Sequence, residues 1–219
     1  WNFAATAYLN RWKVKIYYEH YFDDHSQMFF QYGRWKDGHI GLEITFPKNR
    51  FIDTFVYEGL GTKDQTGPML YDSFWGEFEE QISAKDNYYN HYLYQGWQHW
   101  GMGIGNPLLP GPIYNKNGQI TFISNRVLAH HIGFCGSPCQ SLSYRMLLSY
   151  SRHWGTYDNP LNEIKKQFNS LFEVTYAPQQ LKGWSFTVSG AMDRGNLLGN
   201  NYGGMLVIRK QGIIKSGNK

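Results

Sequence analysis

Several groups of side chains in this 219-residue chain have types and spacings that could do chemistry. Cys135 and Cys139 stand four apart across Gly-Ser-Pro. That spacing allows a hairpin disulfide in an oxidising compartment as well as two free thiols, whereas a metal site would need two further ligands nearby. Carboxylates are available in pairs, Glu43 with Glu58 or Glu77 with Glu79 and Glu80, the residue type a glycosidase holds about 5–10 Å apart around a glycosidic bond. Nothing in their spacing brings a pair together, and the latter three fit the wet face of a loop helix from Asp72 to Ile82, opposite Phe74, Phe78 and Ile82. The eight histidines show no HExxH pattern, and His130 and His131, adjacent on a strand, point to opposite faces. Gly101-Met-Gly-Ile-Gly resembles a phosphate loop only briefly, because Asn106 replaces the third spaced glycine and Pro107 follows where a helix should open. The expectation is a protein without catalytic activity, cofactor or metal.

The most informative stretch is Asn87 to Pro107, which carries six aromatic rings among amides and glycines and almost no charge. Aromatic faces stack on the apolar faces of sugar rings, while amides and imidazoles satisfy hydroxyls. The residues expected to bind polysaccharide are Tyr92, Tyr94, Trp97 and Trp100 for stacking, with Asn90, His99, Asn106 and Arg126 for hydroxyls or acidic sugars. The same rings could equally fold inward and plug the mouth of a barrel, and the two roles are compatible.

The elements that must position this loop follow from a two-residue period. Trp184, Phe186, Val188 and Met192 alternate with Ser185, Thr187, Ser189 and Asp193, which marks a strand. The same alternation runs through 12–19, 40–46, 142–151 and 168–176, and more weakly through 2–9, 51–60, 119–134 and 202–210. About nine strands result, each near the ~10 residues that cross a bilayer when tilted. Short turns are expected near Asn10 and at 47–50, 136–140 and 178–182. Longer loops are expected at 22–38, 61–118, 155–166 and 194–201, so turns gather at one end of the sheet and loops at the other. One face of each strong strand is apolar with rings near its ends, and the other carries Lys13, Lys15, Glu19, Glu43, Arg145, Glu173 and Asp193. This is the pattern of an all-β, antiparallel transmembrane β-barrel with long external loops, its charges paired in a polar lumen. Asp53 and His130 fall out of phase with it.

Composition agrees. Aromatic residues make up 18% of the chain against 17% charged residues, and mean hydropathy is −0.54, so apolar character resides in rings and in alternation. No stretch reaches the ~18 consecutive apolar residues of a membrane helix. A net charge of +4, with Lys and Arg gathered only at Arg209, Lys210, Lys215 and Lys219, gives no nucleic-acid patch. No repeat or linker divides the chain, so residues 1–219 read as a single domain.

The runs Tyr88–Trp97, Gly101–Leu109, Asp193–Asn200 and Gly203–Lys210 resemble the Wzi-type capsule assembly family in its Bacteroides-like form. Members are longer, so the resemblance implies that this chain is the C-terminal part of a larger barrel. It further implies a bacterial outer-membrane protein, embedded in outer-membrane lipid, that binds capsular polysaccharide as a lectin and helps hold it at the cell surface. Two other functions fit the same strands: a pore for solutes or oligosaccharides, and a soluble secreted protein that binds or cleaves glycans.

Overall fold

The structure, a computed structural model, describes residues 1–22, 37–49, 51–65, 67, 70–71, 83–84, 86–91, 93–94 and 96–212. Its strands are β1 (Asn2–Leu9), β2 (Trp12–His20), β3 (Gly38–Thr45), β4 (Thr54–Gly61), the two-residue pairs β5 (Leu70–Tyr71) with β6 (Ser83–Ala84) and β7 (Gln98–His99) with β8 (Met102–Gly103), then β9 (Val127–Cys139), β10 (Leu142–Gly155), β11 (Pro160–Tyr176), β12 (Trp184–Gly195) and β13 (Asn201–Lys210). A single 3-10 turn at Pro112–Tyr114 is the only helical element among the described residues. The loop helix expected at 72–82 lies outside them, as do Lys215 and Lys219.

Nine strands form one antiparallel sheet in the order β1-β2-β3-β4-β9-β10-β11-β12-β13. Every neighbour is the next strand of the sheet in sequence; β2 and β3 are joined across residues 21–37, and β4 and β9 across the much longer 62–126. The sheet is not closed. Among the described residues β1 and β13 each have one strand partner, and both are exposed over their whole length.

Register is what sorts the faces, because a one-residue slip would exchange them. On one face Lys15 pairs with Glu43, Glu58 with His131, Ser149 with Asn169, and Thr187 with Val207. On the other, Ile16 pairs with Leu42, Tyr57 with Ile132, Met146 with Phe172, and Val188 with Leu206. The register carries the same two faces across all nine strands, with Met205 and Val207 of β13 as apolar residues at polar-face positions. The charges of the polar face meet partners there, as expected: Lys13 with Glu43 at 3.6 Å and Arg145 with Glu173 at 3.3 Å.

Both misfits have local explanations. Asp53 precedes β4 and accepts a hydrogen bond from the Ser137 hydroxyl, 2.9 Å. His130 does lie on the apolar face, where its Nδ1 is 2.8 Å from the Tyr57 hydroxyl and its ring stacks on the Tyr57 ring.

The tight turn at Asn10-Arg11 uses a left-handed φ of 57° at Asn10, a conformation asparagine tolerates. In the 46–53 turn, the Asn49 side-chain Oδ1 accepts the backbone N–H groups of Phe51 and Ile52, both at 2.8 Å. Two expected loops are corrected. Strands β10 and β11 run to Gly155 and from Pro160, leaving a connection of only 156–159, and β12 and β13 are joined by 196–200. The expected strand at 119–134 begins only at Val127, and the expected turn at 136–140 shrinks to Gln140-Ser141, because β9 continues through a bulge that absorbs Ser137 and Pro138.

That bulge also decides the cysteines. Both thiols are free. Four residues of strand span about 13 Å, far beyond the ~7 Å Cα separation a disulfide tolerates, so the hairpin disulfide is corrected to two unpaired side chains on β9.

The interior is inverted relative to an ordinary sandwich. Among the described residues, twelve polar or charged side chains are buried against five apolar ones, Leu60, Leu109, Phe122, Val127 and Ala129. Leu60, Val127 and Ala129 occupy polar-face positions, and Leu109 and Phe122 reach them from the 62–126 connection. The apolar face has no such cover: Phe3, Ile16, Ile40, Phe172, Val188 and Leu206 are all exposed.

Candidate functional site

Between the polar face and the 62–126 connection lies a cavity of about 740 Å³. Its floor is the loop-side end of β2, β3, β4, β9 and β10. Glu19, His39 and Glu58 converge there, with His39 Nδ1 3.7 Å from Glu19 and Nε2 3.5 Å from Glu58. The Tyr17 hydroxyl donates to Glu58, and His131 Nδ1 meets the Ser149 hydroxyl at 2.6 Å. Two carboxylates bridged by an imidazole, flanked by hydroxyls, form a surface rich in acceptors that suits a polyhydroxylated ligand. These residues were missed as a group in the sequence. The sequence offers Glu58 with Glu43 as a pair, but Glu43 pairs with Lys13, and Glu58 is linked to Glu19 through His39.

The roof is the aromatic segment. Tyr89 packs on Phe122 at 5.0 Å between centroids and on Trp97 at 5.4 Å, and its hydroxyl accepts the Asn106 N–H at 3.1 Å. The glycines let segments of the roof touch: a Cβ at Gly111 would meet the Gly101 carbonyl oxygen and the Gly103 nitrogen at 2.6 Å. Amides tie the roof down. Asn90 donates to the Phe122 carbonyl and accepts the Phe122 N–H, both at 2.8 Å, while buried Asn125 donates to the Tyr88 carbonyl at 2.8 Å. Buried Gln65 donates to the carbonyls of Thr62 and Asn125, each at 3.0 Å.

The expected polysaccharide residues therefore separate. Trp97 and Asn106 line the cavity. Tyr94, His99 and Trp100 are exposed on the outside of the loop, with His99 edge-on to Trp100 at 6.2 Å. Asn90 spends its amide on the loop backbone. Arg126 lies away from the cavity, next to buried Val127, with its guanidinium 3.7 Å from the Tyr157 ring centroid. Tyr92 lies outside the described residues. No group of three or more His, Cys, Asp or Glu is arranged to hold a metal among the described residues.

Asp37 anchors the near edge of the 62–126 connection, accepting the backbone N–H groups of Asp64 at 2.8 Å and Gln65 at 2.6 Å. Burial pushes its carboxyl above the ordinary carboxylate range, and those hydrogen bonds oppose the shift. The folded chain holds this proton more tightly than the unfolded chain. Its contribution to stability is therefore full below the ordinary carboxylate pKa and is lost as pH rises through the raised value. Thermal unfolding followed across that window is expected to show a shallower pH slope in Asp37→Asn than in the natural chain; equal slopes would contradict the assignment.

No protein-family model, curated protein or solved structure matches the chain.

Proposed function

We propose that this chain is part of an outer-membrane β-barrel whose apolar face meets lipid and whose long loop binds surface polysaccharide, acting as a lectin in capsule assembly. The observation that carries the reading is the partition of the sheet: a polar face covered by the loop at the loop-side end of β2, β3, β4, β9 and β10, and an apolar face left bare across nine strands. A bare apolar surface of that extent marks a contact with membrane or partner. Ring pairs such as Trp12 with Phe46 and Trp184 with Phe186 fall at the turn side, as the aromatic girdle of a barrel does. The open edges at β1 and β13 are where further strands would complete the barrel. The loop that fills the polar face favours a closed lectin over an open pore.

Polysaccharide contact falls to the exposed rings of the loop. Trp100 is 85% exposed with a left-handed φ of 53°, an arrangement that presents the indole without burying it. Trp100→Ala is expected to change stability by less than about 0.5 kcal/mol. It is expected to weaken binding of the cell's own capsular polysaccharide about tenfold, the ~1.4 kcal/mol appropriate to one ring contact. Binding that survives unchanged in both Trp100→Ala and Tyr94→Ala would reject the lectin reading.

A further inference from the structure

Charges on the apolar face are few and one-signed. Every register-paired carboxylate, Glu19, Glu43, Glu58, Glu173 and Asp193, lies on the polar face. On the apolar face the strand cations at the loop side are Arg152, Lys166 and Arg194. Arg152 pairs directly with Lys166, and Arg194 pairs with Phe168, two residues along. Arg152 and Lys166 stand ten residues from the turn-side pair Leu142 and Tyr176, and Arg194 stands eight from Phe186, the partner of Tyr176. Ten residues of strand rise about 33 Å, or about 25 Å along the normal at a ~40° tilt, which is the height of the apolar band of a membrane barrel.

The cations are held by rings. The Trp154 ring lies between Lys63 Nζ at 4.7 Å and the Arg152 guanidinium at 5.0 Å, with Arg126 stacked on Tyr157 beside them. Aromatic faces orient cations without neutralising them. Arg152 Nε is buried and has no hydrogen-bond partner among the described residues, so its terminal guanidinium nitrogens are the ones left to meet a ligand. The turn side of the same face differs. Its strand cation is Lys210, whose ammonium already donates to the Lys182 carbonyl.

We infer that Arg152, Lys166 and Arg194, extended by Lys63 and Arg126, bind the phosphorylated headgroups of the lipid leaflet on the loop side. The inference rests on the membrane reading above. Guanidinium groups match phosphate oxygens bidentately, and a one-signed row at the edge of an apolar band places them at headgroup depth. Arg126 is held at this edge by its Nε, which donates to the Lys63 carbonyl at 3.1 Å, and by the Tyr157 ring.

The test uses the completed barrel that contains this chain, folded into phosphatidylcholine vesicles that carry bis-phosphorylated lipid A, or its dephosphorylated form, followed by detergent extraction and measurement of retained lipid. The natural chain is expected to retain the phosphorylated lipid at least about tenfold better than the dephosphorylated one. The triple variant R152Q/K166Q/R194Q is expected to lose that preference, while Lys15→Gln on the polar face keeps it. Equal retention of the two lipids by the natural chain overturns the inference, and it does so even if the triple variant fails to fold. Protease protection of the strands, scored in the same vesicles, separates the readings. Protection without phosphate preference rejects the headgroup site alone, and no protection in either vesicle rejects the membrane reading together with it.

Discussion

Val188→Arg is expected to stop the chain assembling in a bilayer while leaving it unaffected in any setting where the apolar face meets water. Val188 sits mid-way along β12, paired with Val174 on one side and Leu206 on the other, and is 61% exposed. In a soluble sheet a substitution at so open a position stays within about 0.5 kcal/mol. In lipid, arginine at the midplane of a barrel costs about 2–4 kcal/mol, enough to lower the ratio of folded to unfolded chain by about one and a half to three powers of ten. Heat-modifiable migration after folding into phosphatidylcholine vesicles reads the difference. Thr187→Arg, one residue along and on the polar face between Thr175 and Val207, serves as the control and should fold normally. A Val188→Arg chain that folds into vesicles as well as the control would end the barrel reading.

The second large effect is expected from Phe122→Ala. Phe122 is 1% exposed, packs against Tyr89, and anchors the roof of the cavity to Leu60, Val127 and Ala129. Removing a buried phenyl ring costs about 3–5 kcal/mol, and here the loss falls on the docked loop more than on the strand ladder. Proteases should cut the 86–126 segment in the variant under conditions where the natural chain resists. In a planar bilayer, a completed barrel carrying the variant should conduct where the natural one is nearly silent. A loop that stays protected would show that the amide clamps of Asn90 and Asn125 hold it without the ring.

The strand count and the two faces were legible because residue type alternates wherever one face of a strand is polar and the other apolar. Alternation disappears where that difference does. Leu161 to Lys166 reads as loop because Glu163, Lys165 and Lys166 crowd together, yet β11 includes it. There the sheet extends past the apolar band, and neither face has reason to be apolar. Residues 119–126 read as strand because Ile120, Phe122 and Ser124 mimic the period, but Phe122 is turned inward by the loop it belongs to. Gly136-Ser-Pro reads as a turn, and the bulge accommodates it within β9. The cavity floor was hidden for a different reason. Glu19, His39 and Glu58 meet only once the register of three strands is known, and a list of side chains carries no register. Asn90 and Arg126 have the right chemistry for sugar but are committed elsewhere, one to backbone and the other to an aromatic stack on the opposite face.

The junction of β4 with β9 has a kinetic consequence. Eight strand pairings hold the sheet together; six of them join neighbours across short connections and a seventh, β2 with β3, across residues 21–37. The eighth must bring together ends separated by residues 62–126, and closing so long a loop slows folding even though its entropy cost grows only logarithmically with length. The packing of Leu109 and Phe122 onto Leu60, Val127 and Ala129 lies at the end of this seam. The segment that covers the cavity therefore also stitches two locally formed half-sheets, β1–β4 and β9–β13, and the rate at which they join should follow the docking of that loop.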